Sequence, residues 1–394
     1  MTDRKFHFVL SAARDNMFDR LLIDGVADFA RTCGECRFSL AKPNLADAKI
    51  ERNPPDGIIC RVFDSRSAAL LERLRLPTVD LFGFTGWTGK SSVVADDRLI
   101  GRLAAEHFLE RRFRNFAFFG YRNLGYSERR RDGFLARLAE SGLDAQVFET
   151  EAGGGRTGRG PRIPSYRSTT LHADRNLVRR LSVLPKPIAI FCCHDPKAVS
   201  VLEACQAAEI AVPNEVAILG VDDDTVCCEF SSPRLSSVNP NSRKIGFDAA
   251  RRLLELVKRP ARERTHGTWT VPPLGVTVRE SSEVYPLNPK WLSDALVYIR
   301  RNAVRGISAS DVFAALGLSH TLVQKTFRAQ LGTTVQREIV TARMDEARRL
   351  LKGSRLPVSE IAAQCGFTSL HYFSQAFTST YGMSPQVWRN GLKA

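Results

Sequence analysis

The segment from Ile361 to Arg389 limits what this chain can fold into more than any other. It reads Ile-Ala-Ala-Gln-Cys-Gly-Phe-Thr-Ser-Leu-His-Tyr-Phe-Ser-Gln-Ala-Phe and then, after a short gap, Tyr-Gly-Met-Ser-Pro-Gln-Val-Trp-Arg. A short helix stops at Gly366, and a second begins after Thr368 or Ser369, both residue types that accept hydrogen bonds from the free N–H groups of a helix start. In the second helix Leu370, Phe373 and Phe377 recur at helical spacing and form one buried stripe, so His371, Ser374, Gln375 and Thr378 face away from it. Helix, glycine turn and helix with a polar outer face is the grammar of a helix-turn-helix DNA reader. An ordinary helical hairpin has the same grammar, and this segment alone does not separate the two.

A second copy shifts the balance. Ser308 caps a helix through Ala315 that ends at Gly317, and Ser319 caps another in which Val323, Phe327 and Leu331 are buried. That leaves His320, Thr321, Gln324, Lys325 and Arg328 on the free face. Between the copies, roughly Val335 to Lys352 is rich in good helix formers and joins the units as a rigid spacer. Two such units on one helix suit two successive major-groove faces of a duplex, about one turn apart.

These residues resemble the AraC-type DNA-binding domain over about Asn288 to Arg389. The signature is Ile361-Ala362, Cys365-Gly366-Phe367, Ser369, Tyr372-Phe373, Phe377, Gly382, Ser384-Pro385 and Trp388-Arg389. The first unit matches through Ser319, Val323, Phe327, Gly332 and the run Arg343 to Leu351. The resemblance implies a transcription regulator, not an enzyme, whose second helix in each unit enters the major groove. It sets Thr321, Gln324 and Lys325, with Arg328, against DNA in the first unit, and His371, Ser374 and Gln375 in the second. Gln suits bidentate contact to adenine, and Lys suits guanine or a phosphate. The first unit departs from the family pattern at Ser319-His320-Thr321 and at Gln324-Lys325-Thr326.

Charge supports a nucleic-acid partner. Of the net +15, the residues from Leu287 onward hold 14 Lys/Arg against 6 Asp/Glu, a surplus of 8 in the smaller part of the chain. Cations are dense there, where phosphate contacts are needed. The apolar run Phe6–Leu10 is too short for a signal-peptide core, and no stretch is long enough to span a membrane. Nine cysteines, an odd number, read as reduced thiols of a cytoplasmic, nucleoid-associated protein. Cys33-Gly34-Glu35-Cys36 has neither a second pair nor a histidine at zinc spacing, so no metal or cofactor is expected. The pairs Cys192-Cys193 and Cys227-Cys228 read as core or pocket-wall side chains.

Before about residue 280 short apolar runs alternate with amphipathic stretches. Strands are expected at Phe6–Leu10, Gly57–Arg61, Pro77–Leu81, Asn115–Phe119, Pro187–Cys192 and Val216–Gly220. Helices are expected near Asn16–Thr32, Ser67–Leu74, Gly101–Arg111, Ser127–Ser141 and Ala198–Ala208. This alternation predicts an α/β domain with Rossmann-like parallel sheets, in one body or two lobes, and functional groups at the carboxyl ends of the strands. Those ends carry Asp15, Asp96, His194, Asp195 and Asp222, with Arg130 on a helix. Together with Phe18 or Tyr126 as stacking faces they make a sugar pocket: apolar walls with a few convergent polar groups.

About Phe6 to Val278 resembles the two-lobed, periplasmic-binding-protein-like sensor core of LacI/GalR repressors. The matching elements are the Phe191–Asp195 strand end, Ile210-Ala211-Val212-Pro213, Val216–Asp223 and Gly246 to Leu254. The resemblance implies that Asp195, Asp222 and Arg130 contact a sugar, and His194 stands where an Asn is frequent. The amino-terminal DNA-binding headpiece of that family is not seen. A LacI-like sensor ahead of an AraC-type reader resembles bacterial regulators of pentose operons. Phe18-Asp19-Arg20 matches their Tyr-Asp-Arg element, and Tyr126 to Arg130 an aromatic–Arg element. That resemblance implies D-xylose or a related aldopentose as effector and activation as the outcome. A different sugar or polyol, or a repressor, remains open. Partners implied are promoter DNA, a second copy of the chain in a homodimer and RNA polymerase.

Nucleotide chemistry is the rival. Gly83 to Ser91 nearly spells a phosphate loop, but Phe84 stands where the first glycine is required, and a strand-like run follows in place of a helix. The glycine-rich run 153–160 lacks the Lys-Ser/Thr ending and reads as a flexible basic loop. The expected organisation is a sensor at 1–280, a linker at 281–290 and an all-α reader with two helix-turn-helix units at 291–394. Asn288 and Pro289 are expected to cap and start its first helix.

Overall fold

In the computed structural model of the chain the described residues are 5–14, 16–41, 45, 50, 53–62, 65–83, 91–151, 174–354 and 356–391. Asp15, the phosphate-loop-like residues 84–90 and the run 153–160 lie outside them. The chain divides into two units, Met1–Glu283 and Val284–Ala394.

The first unit has two α/β lobes. Its strands are β1 (Phe6–Ser11), β2 (Cys36–Ala41), β3 (Gly57–Cys60), β4 (Thr78–Asp80), β5 (Ser91–Ala95), β6 (Asn115–Arg122), β7 (Gln146–Glu151), β8 (Ile188–Cys192), β9 (Val216–Val221), β10 (Ser236–Asn239), β11 (Thr268–Val271) and β12 (Gly275–Thr277). Among the described residues one lobe carries the parallel sheet β11-β5-β4-β3-β1-β2. The other carries β12-β10-β9-β8-β6-β7, parallel except for the antiparallel β10–β12 pair. β8 and β9 are buried at every position. That is why they read as unbroken apolar runs: helices cover both faces of a parallel sheet.

The chain passes between the lobes after β5, after β10 and between β11 and β12. The three crossings lie side by side. Asp96 N donates to Val271 O at 2.9 Å, and Leu274 N to Asn239 O at 2.9 Å. Asn241 Nδ2 reaches Pro272 O at 3.4 Å. Asp96 caps the helix Asp97–Glu110 through a 3.0 Å bond from Leu99 N, so this candidate pocket residue also anchors a crossing.

The helices Asp97–Glu110 and Gly125–Ala139 meet backbone to backbone. A Cβ on Gly101 would stand 2.0 Å from Arg130 O, and one on Gly133 2.0 Å from Arg98 O. Only glycine permits that approach, and it sets Arg129 and Arg130 beside Asp97.

The second unit is helical, and its helices include Lys290–Asn302, Ala309–Leu316, His320–Leu331, Val335–Gly353, Val358–Gln364, Leu370–Tyr381 and Pro385–Gly391. The long helix serves two cores. Val335, Ile339 and Ala342 pack with Val312, Val323 and Phe327, while Met344, Ala347 and Leu351 pack with Ile361, Phe373 and Phe377. Buried Arg343 fastens the halves: its Nε donates to Ala303 O at 2.8 Å and its Nη2 to Ile307 O at 2.9 Å, and its guanidinium lies over the Phe367 ring.

Four expectations are corrected here. Leu370 is 48% exposed, because it opens its helix where the Phe373–Phe377 stripe runs off the end of the core. Leu331 is only half-buried at the edge of its cluster. Pro289, not Asn288, occupies the cap position of the helix from Lys290, and no side chain caps it. The stretch 281–290 is also not free chain. Ser281 and Ser282 are buried in the first unit, and Tyr285 is buried in the core of the second.

Gly101→Ala should destabilise the first unit by about 1–3 kcal/mol, the usual cost of overpacking a close contact. Urea denaturation would measure this, and an unchanged midpoint would contradict the backbone contact.

Candidate functional site

The carboxyl ends of both sheets turn toward one cleft. From the first lobe, the helix Met17–Cys33 starts with Asn16 as its cap and brings Phe18 and Asp19 to the end of β1. Asp19 is buried; its Oδ1 pairs with Arg61 Nη1 at 3.0 Å, and its Oδ2 accepts from Ala13 N at 3.2 Å. Arg61 follows β3 directly, and its guanidinium lies over the rings of Phe18 (5.2 Å) and Phe82 (5.4 Å).

From the second lobe comes Arg130. Its Nε pairs with Asp97 Oδ1 at 2.9 Å, its Nη1 donates to Cys193 O at 2.5 Å, and Asp222 Oδ1 lies 3.9 Å from Nη1. Arg129 holds the other Asp97 oxygen at 2.7 Å. Burial works against the Arg130 charge, while Asp97 and Asp222 sustain it. Tyr126 stands at the seam, its ring under the Arg130 guanidinium and edge-on to Phe82 of the first lobe at 5.8 Å. At another edge Met17 N donates to Asp224 Oδ2 across the lobes at 2.9 Å.

His194 and Asp195 start the helix Asp195–Ala207. His194 Nδ1 accepts from Lys197 N at 3.2 Å, so the proton of the neutral ring sits on Nε2. Burial, and then Arg130, depress its pKa to about 3, which keeps the ring neutral. Tyr126 Oη and His194 Nε2 are buried polar atoms without a hydrogen-bond partner, and their rings lie 6.5 Å apart. Buried orphans of this kind are costly unless a ligand or water satisfies them.

Asp195 is placed differently from what the LacI/GalR resemblance implies. It is fully buried, with Oδ1 accepting from Ser237 Oγ at 2.6 Å and Oδ2 from Asp224 N at 2.8 Å. Burial, then the neighbouring Asp222, push its pKa well up. Its carboxyl group thus organises the ends of β9 and β10. Asp222 is more open, and burial raises its pKa to about 7 against the lowering effect of Arg130.

Phe18, Tyr126, Arg130, His194 and Asp222 therefore come together, and Asp96 lies at a crossing. Sequence reasoning pointed to Asp97 beside Asp96 at the end of the Val93-Val94 run and missed Arg61, Phe82 and Arg129. A charged residue directly after the buried run Gly-Ile-Ile-Cys was the available signal for Arg61. This chemistry suits a neutral, hydroxyl-rich ligand: carboxylates partner the cations, aromatic faces form walls, and two neutral donors await acceptors. It does not suit thiol catalysis. Burial pushes the Cys193 thiol up to about 12, and the adjacent His194 nitrogen is committed to Lys197 N. Among the described residues no cluster of three or more His, Cys, Asp or Glu could hold a metal, and no helix is long and apolar enough to cross a membrane.

In the second unit both units of helix, glycine turn and helix are present. Ser308 makes a capping box with Asp311, Gly317 and Gly366 take left-handed backbone, and Ser319 and Ser369 cap the second helices. His320–Leu331 and Leu370–Tyr381 share one burial pattern, with Val323/Phe327 and Phe373/Phe377 inward. Thr321, Lys325, Arg328, His371 and Gln375 are exposed, and Gln324 and Ser374 are half-buried beside them. Gly366 abuts the turn that follows the helix Lys290–Asn302: a Cβ there would lie 2.8 Å from Val304 O.

Comparison with known proteins agrees with both halves. Residues 105–282 match the periplasmic binding protein-like domain family, and residues 312–391 match a helix-turn-helix domain family. The xylose operon regulatory protein of Haemophilus influenzae is 24% identical over 399 residues, covering 99% of each chain. That of Escherichia coli K12 is 24% identical over 400 residues, covering 99% of this chain and 98% of its own. The solved structure of a xylose-binding transcription activator, xylR, superposes with a TM-score of 0.60 at 24% identity over 99% of each chain, a likeness of fold. The chain is thus a transcription regulator, not an enzyme, that joins a periplasmic-binding-protein-like domain to a helix-turn-helix domain, and along its whole length it is similar to the xylose operon regulatory proteins.

Proposed function

We propose that the effector is D-xylose or a related aldopentose, bound between the lobes by Asp222, Arg130, His194 and Tyr126 with Phe18 as a wall. The observation that carries this reading is the pair of unsatisfied buried groups, Tyr126 Oη and His194 Nε2, in the cleft where Asp222 and Arg130 converge. Hydroxyls of a pyranose supply both acceptors and donors, so one ligand satisfies all four groups. The names of the full-length relatives support the choice of xylose. The protein works as a cytoplasmic, nucleoid-associated homodimer that activates pentose-catabolic promoters together with RNA polymerase. Thr321, Gln324, Lys325 and Arg328 read one major-groove face, and His371, Ser374 and Gln375 the next.

Calorimetry of the full chain against D-xylose, other aldopentoses, aldohexoses and polyols tests the effector. Heat with D-xylose is expected, and a response confined to hexoses or polyols would overturn this choice. Asp222→Asn should weaken D-xylose binding about 10–100-fold, the equivalent of losing one charge-assisted hydrogen bond. DNA binding without sugar should stay at its wild-type level.

pH offers an independent check. The folded-state pKa of Asp222 lies above its unfolded value, so the native protein holds a proton there up to about pH 7. Hydroxyl donors and Arg130 favour the ionised carboxylate, so binding expels that proton below pH 7. D-xylose affinity should therefore rise about tenfold from pH 6 to pH 8, following the ionised fraction. A flat profile would remove Asp222 from the site.

On DNA, Gln324→Ala should relax preference at one base pair by about 1–3 kcal/mol. Arg328→Ala should weaken all sequences alike and lower the salt slope by about 1. Selection from random duplexes and salt titration read these outcomes.

A further inference from the structure

Two adjacent aspartates at the end of β9 hold left-handed backbone: Asp222 has φ 114° and Asp223 φ 51°. Residues with side chains persist there only where their surroundings hold them, and such strain gathers at switching sites. Asp222 N donates to Val238 O at 3.0 Å and Asp223 N to Ser237 Oγ at 3.0 Å. The two carboxylates have different partners. Asp222 lies beside Arg130 in the cleft. Asp223 Oδ2 instead accepts from Thr277 Oγ1 at 2.9 Å and Asn239 Nδ2 at 3.3 Å, and its Oδ1 pairs with Arg279 Nη1 at 3.0 Å.

Arg279 opens the segment by which the chain leaves the sensor. Its Nε has a second partner, Glu229 Oε1 at 2.7 Å, and its Nη1 also donates to Leu235 O at 3.1 Å. The residues after it are clamped. Ser281 Oγ donates to Ile218 O at 2.7 Å and accepts from Ser236 N at 2.9 Å. Ser282 Oγ bonds Ser236 Oγ at 2.8 Å and His107 Nε2 at 2.8 Å, and Arg111 Nε donates to Ser282 O at 3.0 Å. Tyr285, soon after, is already in the core of the second unit, with its N–H donating to Ser293 Oγ at 3.1 Å. Glu283 and Val284 alone separate the two clamped segments along the chain.

We propose that Arg279 is a positioning residue that couples the effector cleft to the exit of the sensor. When a ligand engages Asp222, the strained Asp222–Asp223 backbone changes, the Asp223–Arg279 pair changes with it, and Arg279 shifts toward Glu229. The segment from Arg279 to Glu283 moves against β9 and β10 and carries that movement into the start of the reader. With only Glu283 and Val284 between the clamped segments, the movement is not dissipated by a flexible linker. This inference rests on the reading that Asp222 belongs to the effector site.

The test uses the full chain, D-xylose and a duplex that the wild-type protein selects from a random-sequence pool. D-xylose should change wild-type DNA affinity by about fivefold or more, within the usual range of allosteric coupling. In Arg279→Met that change should fall below about twofold, while calorimetric D-xylose affinity and sugar-free DNA affinity stay within about threefold of wild type. Arg279→Lys, which keeps the charge but reaches one carboxylate at a time, should recover part of the coupling. Asp223→Asn, which keeps size and most hydrogen bonds, should uncouple as Arg279→Met does and serves if that variant folds poorly. Full coupling in both Arg279→Met and Asp223→Asn would overturn the proposal. So would loss of D-xylose binding itself in Arg279→Met at unchanged melting temperature, because Arg279 would then belong to the site. A wild-type chain that binds no D-xylose would overturn the effector reading instead.

Discussion

The guanidinium of Arg130 ties the ends of β8 and β9 to the crossing that follows β5. It reaches Asp97, just past the crossing that follows β5, the Cys193 carbonyl after β8, and the neighbourhood of Asp222 after β9. A buried cation of this kind is costly unless every partner is in place, so the cleft is specified as a unit and not residue by residue. The glycine crossing of Gly101 and Gly133 brings the Arg130 helix close enough for this. Beside these partners, Tyr126 Oη and His194 Nε2 are buried without a hydrogen-bond partner. A ligand held between the lobes can shift an equilibrium only by binding one arrangement better than the other.

In the second unit one helix takes the corresponding role. Val335–Gly353 gives its first half to one core and its second half to the other, with Arg343 between them. Phe327 and Phe377 are completely buried at equivalent positions, so the two exposed faces are presented from equivalent platforms. Asp345 adds a tie, pairing with Arg300 of the first helix and accepting from Tyr381 Oη at 3.3 Å. Two reading helices held this way keep a fixed spacing, which recognition of successive groove faces needs.

Much of this was legible in the chain, for reasons that differ by element. The reading helices carry two local signals at once, a Ser cap and an apolar spacing, and the structure has them at Ser319 and Ser369. β8 and β9 announce themselves by continuous apolar runs. β10, Ser-Ser-Val-Asn, does not, because Ser236 and Ser237 are buried through bonds to Arg279, Ser281, Asp223 and Asp195, partners far away in sequence. Asp195 shows the same limit from the other side. Its position at a strand end was plain, but its engagement by Ser237 and Asp224 depends on tertiary structure. Arg61 was hidden because a charge just after a strand looks like any surface charge until its partner, here Asp19, is placed opposite. Leu370 followed the helical period correctly and still lies in solvent, since periodicity does not say where a core ends.

A sugar site coupled to a DNA site in the same chain shares one coupling free energy with it, and such coupling is reciprocal. The most direct measurement is D-xylose calorimetry on the protein free and on the protein saturated with its selected duplex. Two different dissociation constants are expected, and their ratio equals the factor by which D-xylose changes DNA affinity. Equal constants in the two titrations would contradict that coupling.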